Sequence, residues 1–434
     1  MHYKKYIPFS IEAIYVATGI FGPTIATLVG VKVFTTYLTP HQYGRFALAV
    51  SIALFARESI GIATYYTVVR YFSIAIKHGM YWYFSCIKRI FSTTLYSIII
   101  LCLLSFALFF VFKIEIDLFY SVSLTILLGG GLICNQAIVG ILAGARKRIS
   151  YSIHLNLLNW GQMIFAIIFI LFGFKSAEGI LIGFILSMFL IQTYSAIKIK
   201  NYYFIKMVEE GKNSEFSILY NSFFKYFWPL TLSGVFSWIQ LFSDRWALNT
   251  FCEVSDVGAY FAIYQLSFSP MLMLSLFIIN LIGPIIYSKI GDNTDSAIKI
   301  NALKINRLIS YILLIFIFIG FILIYSTYEF ISAVIIGKQF LYMSWAFPWL
   351  FLSGGFYAMG QQFLISEYSS MNSKKILKIR MFSSLFSLIC YALFVNFFQR
   401  DGVVWGNLLS SINYAVIAFI SQEKHLSDRI RIFR

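Results

Sequence analysis

The segment LISYILLIFIFIGFILIYSTY, residues 308–328, contains no charged side chain. A helix needs about 20 consecutive apolar residues to cross the hydrocarbon core of a bilayer, so this segment is suited to be a transmembrane helix. The rest of the chain has the same character, because 59% of its 434 residues are hydrophobic and only 12% are charged. Soluble domains carry about 25% charged residues. The composition therefore indicates a membrane protein.

Segments of this kind recur along the whole chain. A backbone in lipid has to satisfy its own hydrogen bonds, which a helix does within one segment. The alternating segments of about ten residues that are typical of a barrel do not occur in the sequence. We therefore predict an all-α polytopic membrane protein with about 12 transmembrane helices. The spans are expected at 11–37, 43–69, 90–112, 118–143, 151–172, 179–197, 227–251, 257–285, 308–328, 344–366, 382–398 and 402–421.

The net charge of +16 is distributed unevenly. Most of the 34 Lys and Arg residues fall in alternate loops and at the two chain ends, and the positive-inside rule assigns such segments to the cytoplasm. The opposite loops hold only Arg45, Lys113, Lys175, Lys338 and Arg400. We therefore expect both termini to be cytoplasmic, the lipid bilayer to be a partner of the chain, and nucleic acid not to be one.

The chain contains a repeated pattern. YLTPHQYGRFALAVSIA (37–53) and TFCEVSDVGAYFAIYQLS (250–267) each have a polar turn, a glycine and a helix that opens with alanine. Each half would contain six spans and so keep the same orientation, which predicts a parallel repeat with a central cavity between two lobes. We expect a six-helix lobe at 1–197, a second at 227–434, and a cytoplasmic interfacial linker at 198–226.

Charged residues well inside the predicted spans, away from the span ends, are the main functional candidates. They are Lys32, Arg57, Glu58, Asp244 and Arg245, the last two in LFSDRWALN (241–249). Such residues normally face a bundle interior or a water-filled cavity. Neighbours on a helix point about 100° apart, so we expect neither adjacent pair to neutralise itself. Two interpretations stay open.

In the first interpretation, the charges form interhelical ion pairs, Asp244 with Lys32 or Glu58 with Arg245. In the second, they line a cationic cavity that binds an anionic head group through the planar donors of arginine. The two interpretations are compatible. Polar residues of the spans, among them Gln240 and Gln265, would then offer hydrogen bonds to sugar hydroxyls.

Other kinds of site have no motif in this sequence. The five cysteines include no CxxC pair, so neither a disulfide framework nor a metal site is expected. A GxxxxGK[ST] phosphate-binding loop is also missing. The predicted outside loops are short and leave little room for catalysis on a large polar substrate. We expect no cofactor and no enzymatic activity.

Three stretches carry a resemblance to a known family. They are YLTPHQYGRFALAVSI (37–52), GILAGARKRISYSIHLN (140–156) and FSDRWALNTFCEVSDVGAYFAIYQL (242–266). Together they resemble the polysaccharide-transporter branch of the multidrug/oligosaccharidyl-lipid/polysaccharide exporter superfamily, in particular flippases of the O-antigen (Wzx) type. The third stretch is the most specific of the three.

The resemblance implies a two-lobed fold like that of MATE transporters, in the cell inner membrane. It also implies that undecaprenyl-diphosphate-linked oligosaccharide moves from the cytoplasmic to the periplasmic leaflet, by alternating access coupled to protons or sodium ions. Polymerase and chain-length regulator proteins are possible partners. By this analogy a substrate cavity would contain Lys32, Arg57, Arg245, Gln240 and Gln265, and ion coupling would use Glu58 and Asp244.

Two alternatives belong to other classes of protein. A MATE-type exporter of cationic drugs should have a cavity rich in carboxylates, whereas the charges away from the span ends of this chain are three cations and two acids. An O-antigen polymerase or ligase should carry a large outside loop. Flippases for lipid II and exporters of teichoic or teichuronic type stay open as relatives of the preferred interpretation.

Overall fold

The structure, a computed structural model, describes residues 9–112, 116–209, 216–291, 296–369 and 373–433. All regular elements in these ranges are helical. A short 3₁₀ helix, Lys338–Met343, precedes α11. The α-helices are α1 Phe9–Tyr37, α2 Pro40–Ala56, α3 Ile62–His78, α4 Met80–Phe112, α5 Ile116–Gly144, α6 Arg148–Leu171, α7 Ala177–Glu209, α8 Phe216–Phe251, α9 Val254–Gly291, α10 Ser296–Ile335, α11 Ala346–Ser369 and α12 Ser373–Phe433.

The helices have the length and composition of membrane spans. Within the described residues, nine helical stretches are long and apolar enough to cross a membrane. One of them, Lys374–Lys424, contains a break at Gln399, where φ is 51° and ψ is −136°. The break separates the predicted spans 382–398 and 402–421. The prediction of an all-α polytopic membrane protein is confirmed.

The chain packs into two compact units. The first, called the middle unit here, is Val33–Gly258, and the second, the split unit, is Met1–Lys32 together with Ala259–Arg434. In the middle unit α5 packs against α2, α3 and α7, and α8 packs against α3. In the split unit α11 packs against α10 and α12.

The units are defined by packing, whereas the predicted lobes 1–197 and 227–434 follow the order of the chain. The lobe boundaries and the interfacial linker at 198–226 stay predictions. Residues 210–215 of that linker lie outside the described residues.

The first turn of α2 is fixed by its own cap and by α7. Thr39 precedes the helix with an extended backbone, and its hydroxyl accepts the N–H of Gln42 at 3.3 Å, as an N-cap residue does. The side-chain oxygen of Gln42 in turn accepts the N–H of Ala177, at the start of α7, at 3.2 Å. Arg45 pairs with Glu178 at 2.8 Å. The corresponding ends of α2 and α7 are thereby held together.

The two glycines that align in the sequence repeat pack against each other in the middle unit. A Cβ on Gly44 would lie 2.0 Å from the carbonyl oxygen of Val254, and a Cβ on Gly258 would lie 2.1 Å from that of Pro40. Pro40 precedes Gly44 by one helical turn, and Val254 precedes Gly258 in the same way. The contact is therefore reciprocal, as in an interface with two-fold symmetry. Only glycine allows this backbone approach from either side.

Candidate functional site

α2 and α3 form one continuous helix that is interrupted by a π-helical turn at Arg57–Gly61. The N–H of Ile62 donates to the carbonyl of Arg57, five residues earlier. Single π-helical turns inside α-helices are frequent at functional sites. This turn contains two of the predicted site residues, Arg57 and Glu58.

Arg57 and Glu58 form an ion pair with each other. Nη1 of Arg57 donates to Oε1 of Glu58 at 3.0 Å, and the two side chains are 34% and 8% exposed. The expectation that neighbouring charges would not neutralise each other is wrong for this pair. The arginine side chain is long enough to reach the carboxylate of its neighbour, so the angle between adjacent Cβ atoms does not decide the contact. Arg57 keeps further donors, because a guanidinium has five N–H groups.

α8 approaches the π-helical turn through its backbone at Gly234. A Cβ on Gly234 would lie 2.0 Å from the carbonyl oxygen of Glu58 and 2.7 Å from Cα of Ser59. Because the obstacle is backbone, no side-chain movement would make room. The position of the Arg57–Glu58 pair therefore depends on a glycine in the neighbouring helix.

Two tryptophans fix the same helix to α2. The indole N–H of Trp238 donates to the backbone carbonyl of Ser51 at 2.6 Å. The indole N–H of Trp246 donates to the side-chain hydroxyl of Ser51 at 3.1 Å. Trp238 also packs edge-on against Phe55, with ring centres 5.3 Å apart. α8 thus contacts α2 over more than two turns, and this holds its charged residues in place.

Asp244 and Arg245 are both buried in the middle unit, with 0% and 2% of their surface exposed. An oxygen of Asp244 accepts the backbone N–H of Arg245 at 2.7 Å. The guanidinium of Arg245 lies 4.8 Å from the centre of the Phe242 ring, within the range of a cation–π interaction. Gln240 is buried one turn earlier on the same helix. The interhelical pairs of Asp244 with Lys32 and of Glu58 with Arg245 stay predictions.

Three residues that the sequence did not identify join Arg57. The charges of Arg148 and Arg57 both act on the hydroxyl of Tyr151, and Tyr65 lies near Tyr151 and Arg148. All four side chains are partly exposed. We call them the Arg57 cluster. They supply two guanidinium groups and two hydroxyls, which are the donors that phosphate oxygens accept. The tyrosines carry no sequence signal, because the spans contain many aromatic residues.

The other predicted site residues lie in the split unit. Lys32 is exposed, and its ammonium donates to the carbonyl of Val334 at 2.6 Å. Val334 lies in the last turn of α10, where free carbonyls and the helix dipole favour a cation. Gln265 is half-buried, and its side-chain oxygen accepts the hydroxyl of Ser269 at 2.6 Å.

The split unit also buries an arginine that the sequence did not identify. Nη1 of Arg380 donates to the hydroxyl of Tyr357 at 2.8 Å, and its guanidinium lies 4.7 Å from the centre of the Tyr414 ring. The hydroxyl of Tyr357 also accepts a hydrogen bond from the side-chain amide of Gln361 at 3.1 Å. Arg380 is 3% exposed. It precedes the predicted span 382–398 by two residues, so the sequence places it among the basic residues of a loop.

A buried carboxylate lies in the same unit. Glu367 is 0% exposed and pairs with Lys375 at 2.5 Å. It also accepts the hydroxyl of Ser421 at 2.8 Å. Glu367 directly follows the predicted span 344–366, and its burial gives no signal in the sequence. Among the described residues, no group of three or more His, Cys, Asp and Glu side chains is placed to hold a metal ion.

The chain is similar to several solved transporters. No protein-family profile matches it, and no curated protein matches it in sequence. A MATE transporter of Vibrio cholerae, VcmN, superposes with a TM-score of 0.68 at 15% identity, over 97% of this chain and 96% of that one. The lipid II flippase MurJ in an inward closed conformation gives 0.68 at 16% identity, over 94% and 87%.

An inward-facing multidrug resistance MATE transporter of the MOP superfamily gives a TM-score of 0.65 at 15% identity, over 96% of this chain and 99% of that one. At these identities the likeness concerns the fold. Since it extends over nearly the whole of each chain, the protein has the all-α transmembrane fold that MATE transporters and MurJ share.

Proposed function

We propose that the protein is a flippase that moves a lipid-linked oligosaccharide across the inner membrane. The substrate would be undecaprenyl-diphosphate carrying an O-antigen repeat unit, and both chain termini would be cytoplasmic. The observation that carries the proposal is the Arg57 cluster. Partly exposed guanidinium groups and hydroxyls in membrane-spanning helices are suited to bind a diphosphate. Transfer of this charged group from water into the membrane has a high free energy unless the protein pairs its charge.

The fold supports a transport function and leaves two substrate classes to be compared. One solved neighbour is named as a multidrug transporter and another as a lipid II flippase. A site for cationic drugs should present carboxylates. In this chain Glu58 is 8% exposed and already paired, whereas Arg57 is 34% exposed. This difference favours an anionic substrate over the MATE-type alternative.

The Arg57–Glu58 pair suggests how transport is coupled to an ion. When Glu58 takes up a proton, Arg57 loses its partner and its whole guanidinium can bind phosphate. Glu58 is therefore a candidate for coupling transport to an ion. Asp244 is a second candidate for coupling, to protons or to sodium ions.

The remaining predicted residues have supporting parts in the proposal. The positive charge of Arg245 would balance the carboxylate of Asp244 on α8. Gln240 and Gln265 would offer hydrogen bonds to sugars. Lys32 would contact the substrate only in a state in which it leaves the end of α10. Polymerase and chain-length regulator proteins would then use the glycan after it has crossed.

Deletion of the gene, followed by lipopolysaccharide gels and analysis of undecaprenyl-linked intermediates, tests the proposal. We expect surface polymer to be lost and single repeat units to accumulate on the carrier at the cytoplasmic face. Complementation with Arg57→Ala should leave this defect, while Arg45→Ala, which removes an arginine at the α2–α7 contact, should restore polymer. Single units that reach the periplasm without polymerising would show a polymerase instead.

A further inference from the structure

Three consecutive cations, Arg146, Lys147 and Arg148, occupy the end of the short connection between α5 and α6 and the first position of α6. α5 ends in a Schellman motif, in which the N–H of Arg146 donates to Ala143 and that of Lys147 donates to Leu142, both at 3.0 Å. Arg146 adopts a φ of 52°, in the left-handed region that the motif requires and that glycine usually fills.

The next helix end shows the same motif with the usual residue. At the end of α6, Gly173 donates to Ile170 and Phe174 donates to Phe169, both at 3.1 Å, and Gly173 has a φ of 99°. A side chain in this conformation crowds the following carbonyl, a cost that glycine avoids. Position 146 holds an arginine although glycine would suit this backbone conformation better, and the arginine side chain is exposed. We therefore infer that the charge of Arg146 has a role.

A lysine of α7 lies close to this connection. Nδ1 of His154 in α6 and Oγ of Ser195 in α7 are 2.8 Å apart. This contact shows which residues of the two antiparallel helices lie side by side. From this contact Lys147 is two turns away along α6, and Lys198 is one turn away along α7. Since a turn rises about 5.4 Å, both side chains reach the same end of the helix pair.

The charges of these two lysines act on each other. Burial, and after it the charge of Lys198, lower the pKa of Lys147 below its usual value. Lys147 and Lys198 therefore form a concentration of positive charge that an anion would neutralise.

We propose that Arg146, Lys147, Arg148 and Lys198 form a binding site for the phosphate of a membrane lipid. Arg148 begins α6, where the backbone N–H groups and the helix dipole also favour an anion. The location at the cytoplasmic membrane surface rests on the orientation in the proposed function. Two lipids carry the required chemistry, an anionic phospholipid of the leaflet and the diphosphate of the carrier lipid. In the second case Arg148, shared with the Arg57 cluster, would pass the diphosphate from this site to Arg57.

The test is lipid binding by the purified full-length protein, measured by native mass spectrometry in a neutral detergent. The probes are farnesyl diphosphate, phosphatidylglycerol and, as the neutral reference, phosphatidylcholine. The double variant Lys147→Ala/Lys198→Ala should bind an anionic probe about tenfold more weakly than wild type. The control Lys88→Ala/Lys225→Ala removes the same charge from exposed positions of α4 and α8 and should bind nearly as wild type does.

The outcomes separate the two sources. A loss for farnesyl diphosphate alone supports the site with the carrier lipid as its ligand, and a loss for phosphatidylglycerol supports it with a bilayer lipid. An equal loss in the control variant, or no loss in the double variant, overturns the proposal. Because no transport is measured, the result is independent of the outcome for Arg57→Ala in cells.

Arg146→Gly provides a second variant that does not threaten folding. The backbone conformation suits glycine, so the unfolding temperature should stay the same or rise while binding of the anionic probe weakens. Unchanged binding would remove Arg146 from the site. A fall in unfolding temperature would show that its side chain is needed for packing, which contradicts the argument from the backbone.

Discussion

Each of the two compact units buries an arginine beside aromatic rings, in different surroundings. In the middle unit Arg245 lies against Phe242 and follows the fully buried Asp244. In the split unit Arg380 lies against Tyr414 and donates to the hydroxyl of Tyr357. One guanidinium is thus accompanied by a buried carboxylate in mid-helix, and the other by neutral phenol groups near a helix end.

This difference shows what a hydropathy profile can identify. It predicts that a charged residue is buried when its neighbours in the sequence are apolar, whatever its actual burial. Arg245 stands in an apolar run, so its burial is predicted. Arg380 has Lys374, Lys375 and Lys378 close by in sequence, so it has the appearance of a surface charge. Helix packing buries it nevertheless. The following substitutions test whether the two units depend on their charges to different degrees.

The largest effect is expected for Gly234→Ala in the middle unit. The new methyl group would meet the backbone of Glu58, which cannot move aside without displacing the π-helical turn. We expect loss of folded protein, measured by size-exclusion profiles and thermal unfolding in detergent. The matched control is Gly131→Ala, whose methyl group would meet the flexible end of Met188 at 2.7 Å. Equal tolerance of both substitutions would show that the approach of α8 to the π-helical turn is not tight.

The second effect is expected for Arg245→Met. It removes a buried guanidinium while the groups around it stay in place, and a buried charge that loses its partner costs about 3–5 kcal/mol. Thermal unfolding should show a large destabilisation. The double variant Asp244→Asn/Arg245→Met should recover part of the loss, because it removes the neighbouring buried carboxylate as well. A double variant that is no more stable than Arg245→Met would contradict this electrostatic explanation.

Arg380→Met should have a smaller effect than Arg245→Met. The hydroxyl of Tyr357 keeps its hydrogen bond from Gln361. The substitution removes a buried hydrogen bond from a charged group, which costs about 1.5–3 kcal/mol, together with the contact to the Tyr414 ring. The measurement is again thermal unfolding, with Tyr357→Phe as the partner variant. Equal destabilisation by Arg380→Met and Arg245→Met would mean that the two arginines are equivalent in spite of their surroundings.

The smallest effect is expected for Lys32→Met. It removes the cation from the carbonyl of Val334 at the end of α10, an interaction worth about 0.3–1 kcal/mol at an exposed helix end. Lys32→Arg should preserve it. Normal stability of Lys32→Met together with loss of surface glycan would assign Lys32 to the substrate, as the family resemblance implies, and not to the end of α10.

The sequence predicts much of the fold, because apolar runs of membrane length have few structural alternatives. The break at Gln399 lies between two predicted spans, and the repeat identifies the glycines that prove to be in contact. Contacts that depend on tertiary packing give no such signal. The π-helical turn at Arg57–Gly61, the pairing of Arg57 with Glu58, and the positions of Tyr65 and Tyr151 beside Arg57 depend on neighbouring helices. The burial of Glu367 depends on them in the same way.

The most direct test of the central claim is a translocation assay in vesicles. Purified protein is reconstituted with a fluorescently labelled undecaprenyl-diphosphate oligosaccharide, and an impermeant reductant quenches the label in the outer leaflet. We predict that wild-type protein exposes the label of the inner leaflet as well, whereas Arg57→Ala exposes only the outer-leaflet fraction seen in protein-free vesicles. Equal translocation by Arg57→Ala, or transport of a cationic dye without movement of the lipid-linked glycan, would contradict the account.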